Sequence, residues 1–203
     1  MKPLVVAATE GEIAPSIAFL IERQIPYLIT GAGMTATAYR LGRELAESHP
    51  DYILNVGIAG SISRDIPIGS VVEITSDCFS ELGAEDGDHF LPIEKLGFGC
   101  STYHSVPLFD LTLSLPKHIG ITVNTVHGNE NSIVRLRERL PFAEIETMEG
   151  AAVFFVCDEE NIPCLQIRSI SNYVEKRNKD AWAIPLAIKN LNIWLQEFLS
   201  QNN

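Results

Sequence analysis

The chain has 203 residues, 46% hydrophobic and 20% charged, an ordinary globular balance with enough length for one substantial core. Its net charge of −11 argues against nucleic acid or an anionic membrane as partner, because both need a positive footprint. The longest apolar runs fall short of a membrane span, the four cysteines show no C-x-x-C spacing, and "MKPLVVAATEGEIAPS" makes no convincing signal peptide, so one domain over residues 1–203 in the reducing cytoplasm is expected.

"PLVVAAT" (3–9) is a short apolar run, as in a strand buried on both faces. Ile13, Ile17, Leu20 and Ile21 follow at helical spacing, then a strand at "YLIT" (27–30) and an amphipathic helix through Met34, Ala38, Leu41 and Leu45. "YILNVGIAG" (52–60) completes a β-α-β-α-β order, which points to an α/β fold with a largely parallel sheet. "GSVVEIT" (69–75) is a further strand, and residues 76–116 show no strong period and read as strands and long loops. Strands at 118–126, 142–146 and 163–170 alternate with helices marked by Ile133–Leu140, Met148–Val156 and the stripe Ile184, Ile188, Leu191, Leu195, Phe198.

Open α/β sheets bind ligands at the carboxyl ends of their strands, so polar residues there carry most weight. "TEGEI" (9–13) places Glu10 and Glu12 at a helix start, where capping explains one acid more readily than two. A carboxylate turned from there into a crevice would serve as a general acid or base. "TGAGMTA" (30–36) fits G-x-G-x-x-A, either as a tight turn or as a dinucleotide site, although Asp51 lies before the strand it would have to end. "NVGIAGS" (55–61) exposes backbone at Gly57, Ile58 and Ala59. In "IETMEGAA" (145–152), Glu146 and Glu149 flank Met148; a carboxylate there can complement a helix or accept two sugar hydroxyls.

"RSISN" (168–172) interrupts an apolar strand with Arg168, Ser169, Ser171 and Asn172, a mixture that buried strands rarely carry unless it is used. His127, Asn129 and Asn131 form a weaker group. The five histidines are scattered and Asp86-Gly87-Asp88-His89 reads as a solvated acidic loop, so neither metal nor cofactor is expected.

Taken in order, "AATEGEI", "TGAGMTATA", "NVGIAGSI" with "DIPIGSVV", "ETMEGAA" and "RSISN" resemble the nucleoside phosphorylase/nucleosidase superfamily over nearly the whole chain. The resemblance implies a three-layer α/β/α domain around a mixed, largely parallel twisted sheet, and a homodimer or higher homo-oligomer acting on a small purine nucleoside. "LNV" (54–56) lacks the arginine that phosphorylases use for phosphate, and the acidic "ATEGE" loop suits water instead. The opening is similar to the methylthioadenosine/adenosylhomocysteine nucleosidases. By that likeness Glu12 would activate water with Arg168 and Glu149, Glu149 would hold the ribose, and Met148 would pack on it. Gly57, Ile58 and Ala59 would lie along base and sugar, with Ser171, His127 and Asn131 completing the binding set.

Residue 172 would meet the purine's N7 and six-position substituent. Adenine-releasing relatives carry Asp there; Asn172 can donate to a six-oxo group and accept from a protonated N7. "SNYVEKRNKDAW" (171–182) and "ITVNTVHG" (121–128) resemble the futalosine hydrolases, which release hypoxanthine in an alternative menaquinone pathway. Arg177, Lys176 and His104 are the candidates for the carboxylate on that substrate's tail. A methylthioadenosine/adenosylhomocysteine nucleosidase, a purine-binding module without catalysis and a dinucleotide-binding protein are the alternatives.

Overall fold

A computed structural model describes residues 1–106 and 113–202. The elements run β1 (Pro3–Ala7), α1 (Glu10–Ile13), α2 (Ile17–Glu22), β2 (Tyr27–Ile29), α3 (Met34–Glu47), β3 (Tyr52–Ser61) and β4 (Val71–Phe79). The chain continues through β5 (Gly83–Asp86), β6 (His89–Pro92), α4 (Ile93–Leu96), β7 (Thr102–His104), β8 (Lys117–Thr122) and α5 (Glu130–Arg139). It closes with β9 (Ile145–Thr147), α6 (Gly150–Glu159), β10 (Cys164–Tyr173) and α7 (Ile184–Gln201). Among the described residues no helix is long and apolar enough to cross a membrane.

Alternation along the buried strands builds two cores. Val5, Ala7, Leu54, Val56, Leu165 and Ile167 face Leu20 of α2 and Leu191 and Leu195 of α7. Leu4, Val6, Ile53 and Cys164 face Leu41 and Leu45 of α3 and Val153 and Cys157 of α6. Both faces of β1, β3 and β10 are therefore covered, which explains why these strands read as continuous apolar runs.

The sheet is mixed, with five parallel and three antiparallel pairings among the described strands. It departs from the expected open layer in one respect. β10 pairs with β3 as well as with β4, so β3, β9, β8, β4 and β10 close into a ring. Ala59, Val72, Ile74, Ile145 and Ile170 pack together from four of those five strands. The pairing that closes the ring joins residues over a hundred positions apart, and no local pattern announces it.

The described residues within 76–116 hold more regular structure than their composition suggests. β4 runs on to Phe79, and β5 and β6 form a hairpin whose Asp86↔His89 pair flanks Gly87 at φ 61°. The acidic Asp86–His89 cluster is thus a two-residue hairpin turn of the kind that needs glycine. Residues 107–112 of this stretch lie outside the described residues.

Candidate active site

Glu12 performs two tasks at once. Its Oε2 accepts from the backbone N–H and the hydroxyl of Thr9, both at 2.9 Å, tying down the first turn of α1. Its Oε1 accepts from the backbone N–H of Ile58 on β3 at 3.0 Å. Capping and an inward-facing carboxylate were competing readings of this residue, and both describe it. The approach depends on Gly57: a Cβ there would stand 2.8 Å from Glu12 Oε1 and 3.6 Å from Arg168 Nη1. Asn192 of α7, 2% exposed, anchors the same turn by donating to the Glu12 carbonyl at 2.8 Å and accepting from Ser16 Oγ at 2.6 Å.

Arg168 is 2% exposed and lies opposite Gly57 in the parallel register of β10 and β3. Its Nη1 donates to the carbonyls of Ile167 (3.1 Å) and Asn55 (3.4 Å). Burial pulls the guanidinium below its usual value, against the opposing influence of Glu149, Glu12 and Asp77.

Glu149 stands at the N-cap of α6, and its Oε1 accepts from Gly33 N–H at 2.8 Å. Burial holds its carboxyl above the usual range, with Glu12 adding to the effect and the Gly33 N–H and Arg168 opposing it. This contact also settles the glycine turn. Gly31 and Gly33 adopt φ of 82° and 93°, and the Gly33 N–H at the start of α3, where a pyrophosphate would sit, holds a carboxylate instead. Asp51 accepts from the backbone N–H of Lys2, before β3 begins, so the dinucleotide reading has neither of its parts in place.

Glu12, Gly57, Glu149 and Arg168 line one cavity together with Asn55 and Val56. Asn172 is outside that lining. Plain alternation would put it on the face of Arg168 and Ile170, but the register slips between Ile170 and Asn172, leaving Ser171 as a bulge and Asn172 opposite Gly60. Asn172 Nδ2 comes within 3.3 Å of the position a Gly60 Cβ would take. Its Oδ1 accepts from Ser171 Oγ (2.8 Å) and its Nδ2 donates to the Tyr173 carbonyl (2.9 Å). One N–H and one lone pair of the amide remain available. From Gly57 to Gly60, β3 spans about 10 Å at the usual strand rise. Sugar and base laid end to end would reach from the carboxylates to the amide.

The other expected binding residues are more dispersed. Ile58 contributes its N–H, and Ala59 is buried with its carbonyl accepting from Ser171 Oγ. Met148 packs, half-buried, against the apolar cluster of Ile62, Ile121 and Val174. His127 is held by Glu146, which accepts from its backbone N–H and pairs with its Nδ1. The hydrogen bond to Glu146 raises the imidazole's pKa. His127 faces a groove shared with Glu81, Arg135 and Arg139 rather than the Glu12 cavity. Asn131 is exposed in the first turn of α5, its N–H donating to Asn129 Oδ1. Arg177 and Lys176 line a separate groove with Arg64 and Arg137, and Arg177 covers the Trp182 ring. His104 sits exposed on β7.

A buried polar network beneath the site had no counterpart in the sequence reading. Asp77, fully buried, accepts from Thr122 Oγ1 (2.8 Å) and from Gln166 Nε2 (2.9 Å). Thr122 Oγ1 in turn accepts from the Ala151 N–H at 2.7 Å, and Thr147 Oγ1 accepts from the Gly150 N–H at 3.2 Å. These bonds satisfy the first turn of α6 and so fix the backbone that presents Glu149. The mixed polar stretch "EITSDCF" gave no signal that Asp77 would be buried.

Two tests follow from this network. A Cβ at position 150 would fall 2.1 Å from Asp77 Oδ2 and 2.3 Å from Gln166 Nε2. Gly→Ala within a helix ordinarily stabilises, but Gly150→Ala is expected to cost about 1–3 kcal/mol. The thermal midpoint should fall by roughly 2–4 °C per kcal/mol, and an unchanged or higher midpoint would refute the crowding. Asp77 itself is pushed up to about 6 by burial, against the Gln166 and Thr122 hydrogen bonds. An acid raised in the folded state favours folding below its unfolded pKa and loses that contribution as pH rises through the folded value. Urea unfolding of wild type and Asp77→Asn at pH 4 and pH 7.5 should show the variant gaining about 2 kcal/mol relative to wild type on going to the higher pH. A pH-independent difference would show that Asp77 does not titrate in this range.

Comparison with known proteins gives the chain's family. The model of the phosphorylase superfamily matches residues 20–200. The futalosine hydrolase of Streptomyces coelicolor is 35% identical over 147 residues, 70% of this chain and 62% of that relative's length. The futalosine hydrolase of Acidothermus cellulolyticus is 32% identical over 173 residues, 81% of this chain and 70% of its own. The solved futalosine hydrolase of Helicobacter pylori strain 26695 superposes with a TM-score of 0.80 at 15% identity, covering 99% of this chain and 98% of that one, which bears on the fold alone. The chain belongs to the phosphorylase superfamily.

Proposed function

We propose that the protein hydrolyses the N-glycosidic bond of a 6-oxopurine nucleoside, converting futalosine to dehypoxanthine futalosine and hypoxanthine. The observation that carries this reading is the cavity where Glu12, Glu149 and Arg168 meet, with an amide rather than a carboxylate beyond it at residue 172. The 32–35% identity to two futalosine hydrolases supports it.

In this reaction the oxygen of water bonds to the anomeric carbon as the carbon–nitrogen bond breaks. The bonding pair leaves with the purine, which takes up a proton at N7 from solvent, balancing the one that Glu12 takes from water. Glu12 takes the proton from the attacking water. Positive charge grows on the sugar, where the Glu149 carboxylate stabilises it while accepting from the ribose hydroxyls. Asn172 accepts from the protonated N7 and donates to the six-oxo group. Arg168 keeps the clustered carboxylates in a burial that would otherwise disfavour their charged forms. Around the nucleophile the described side chains are acidic or neutral apart from Arg168, a poor setting for phosphate.

Assays of futalosine, inosine and methylthioadenosine with and without phosphate test the reading. Futalosine should be cleaved fastest, at a rate independent of phosphate. Faster release of adenine from methylthioadenosine would replace the substrate, and strict phosphate dependence would replace the reaction. We expect a homo-oligomer, to be read from solution mass.

A further inference from the structure

Asn55 is a polar residue in the middle of a central strand, 2% exposed, whose Nδ2 has no hydrogen-bond partner among the described residues. Buried donors are nearly always satisfied, and exceptions gather at functional sites. On β3, Asn55 lies two residues before Gly57 and so shares its face. That is the face on which Glu12 Oε1 and Arg168 Nη1 crowd the space above Gly57. The Asn55 carbonyl already accepts from Arg168 Nη1, and Asn55 is among the residues that line the cavity with Glu12, Glu149 and Arg168. An unused amide donor thus belongs to a residue on the same strand face as, and two residues from, the glycine over which a carboxylate and a guanidinium meet.

We propose that Asn55 is a further catalytic residue whose Nδ2 donates to the water that attacks the anomeric carbon. The inference rests on hydrolysis as the reaction and holds whichever purine leaves. Glu12 accepts one proton of that water and Asn55 donates to one of its lone pairs, leaving the other lone pair to form the bond to carbon. Asn55 exchanges no proton; it holds the nucleophile in its attacking orientation. The competing use is structural. Gln166 is the register neighbour of Asn55 on β10, and its Oε1 is likewise without a partner, so a single water could serve both amides and nothing else.

Asn55→Leu separates the two. Leucine matches the amide in shape and removes its polar atoms, so the fold should hold, with a thermal midpoint equal to or above wild type. We expect kcat to fall about 10–100-fold with KM for the nucleoside changed less than about threefold. Should Asn55→Leu fail to fold, Asn55→Ala is measured in the same way. A variant that folds and keeps the wild-type kcat would overturn the proposal and leave Asn55 to the structural use. The hydrolase reading fails separately, if wild type itself needs phosphate to release the base.

Discussion

Glu12→Gln should lower turnover of the best nucleoside by about 10²–10⁴-fold while leaving purine binding largely intact. The loss follows from removing the carboxylate that stands over Gly57 beside Arg168, on the side of the cavity where the proposal places the water. The substitution also has a structural cost that must be measured beside the rate. Glu12 accepts from three donors, the N–H and hydroxyl of Thr9 and the N–H of Ile58. Glutamine has one acceptor oxygen, so one backbone N–H faces an amide NH₂, at about 1–3 kcal/mol. Thr9→Val supplies the control, since it loosens the same cap without touching the carboxylate. If Glu12 is the base, Glu12→Gln loses orders of magnitude more rate than Thr9→Val at a comparable drop in thermal midpoint. Equal losses in the two variants would reduce Glu12 to a cap.

Asn172→Asp should exchange the preferred base. Two hydrogen bonds are at stake: the amide donates to a six-oxo group and accepts from a protonated N7, whereas a carboxyl fits a six-amino group and an N7 that needs a donor. Mispairing both at about 1.5–3 kcal/mol each moves the ratio of kcat/KM for six-oxo over six-amino nucleosides by roughly 10²–10⁴-fold. The amide also donates one N–H to the Tyr173 carbonyl, which a carboxylate cannot do, so the variant's thermal midpoint is read beside the ratio. The same ratio in wild type and variant would show that base choice is made elsewhere, and attention would shift to the loop bearing His127.

Much of this arrangement was legible in the sequence because the site interrupts patterns that physics otherwise keeps clean. Arg168 stands out in an apolar strand, and Glu12 and Glu149 stand out as acids at strand-to-helix turns. What stayed hidden depends on partners far along the chain. The bulge at Ser171 exists only relative to β3, so nothing within β10 announced that Asn172 would stand opposite Gly60. Asn55 is a single polar residue in an apolar run, a lone exception that is easily passed over, and Asp77 follows Thr75 and Ser76, which make it look like an ordinary surface acid. Asn192 is hidden by its place on the apolar stripe of α7, where its partner is a carbonyl 180 residues away. Met148 is the opposite case: conspicuous beside two acids, yet packed into an ordinary apolar cluster.

The contacts that shape the cavity join residues 46, 113, 116 and 180 positions apart. The longest of them ties Glu12, near the start of the chain, to the final helix. During synthesis, Glu12 therefore emerges from the ribosome long before the helix that fixes its turn. A nascent chain cannot hold the finished cavity until α7 has emerged and packed. Protection of the Glu12 turn from proteolysis would thus mark the docking of α7.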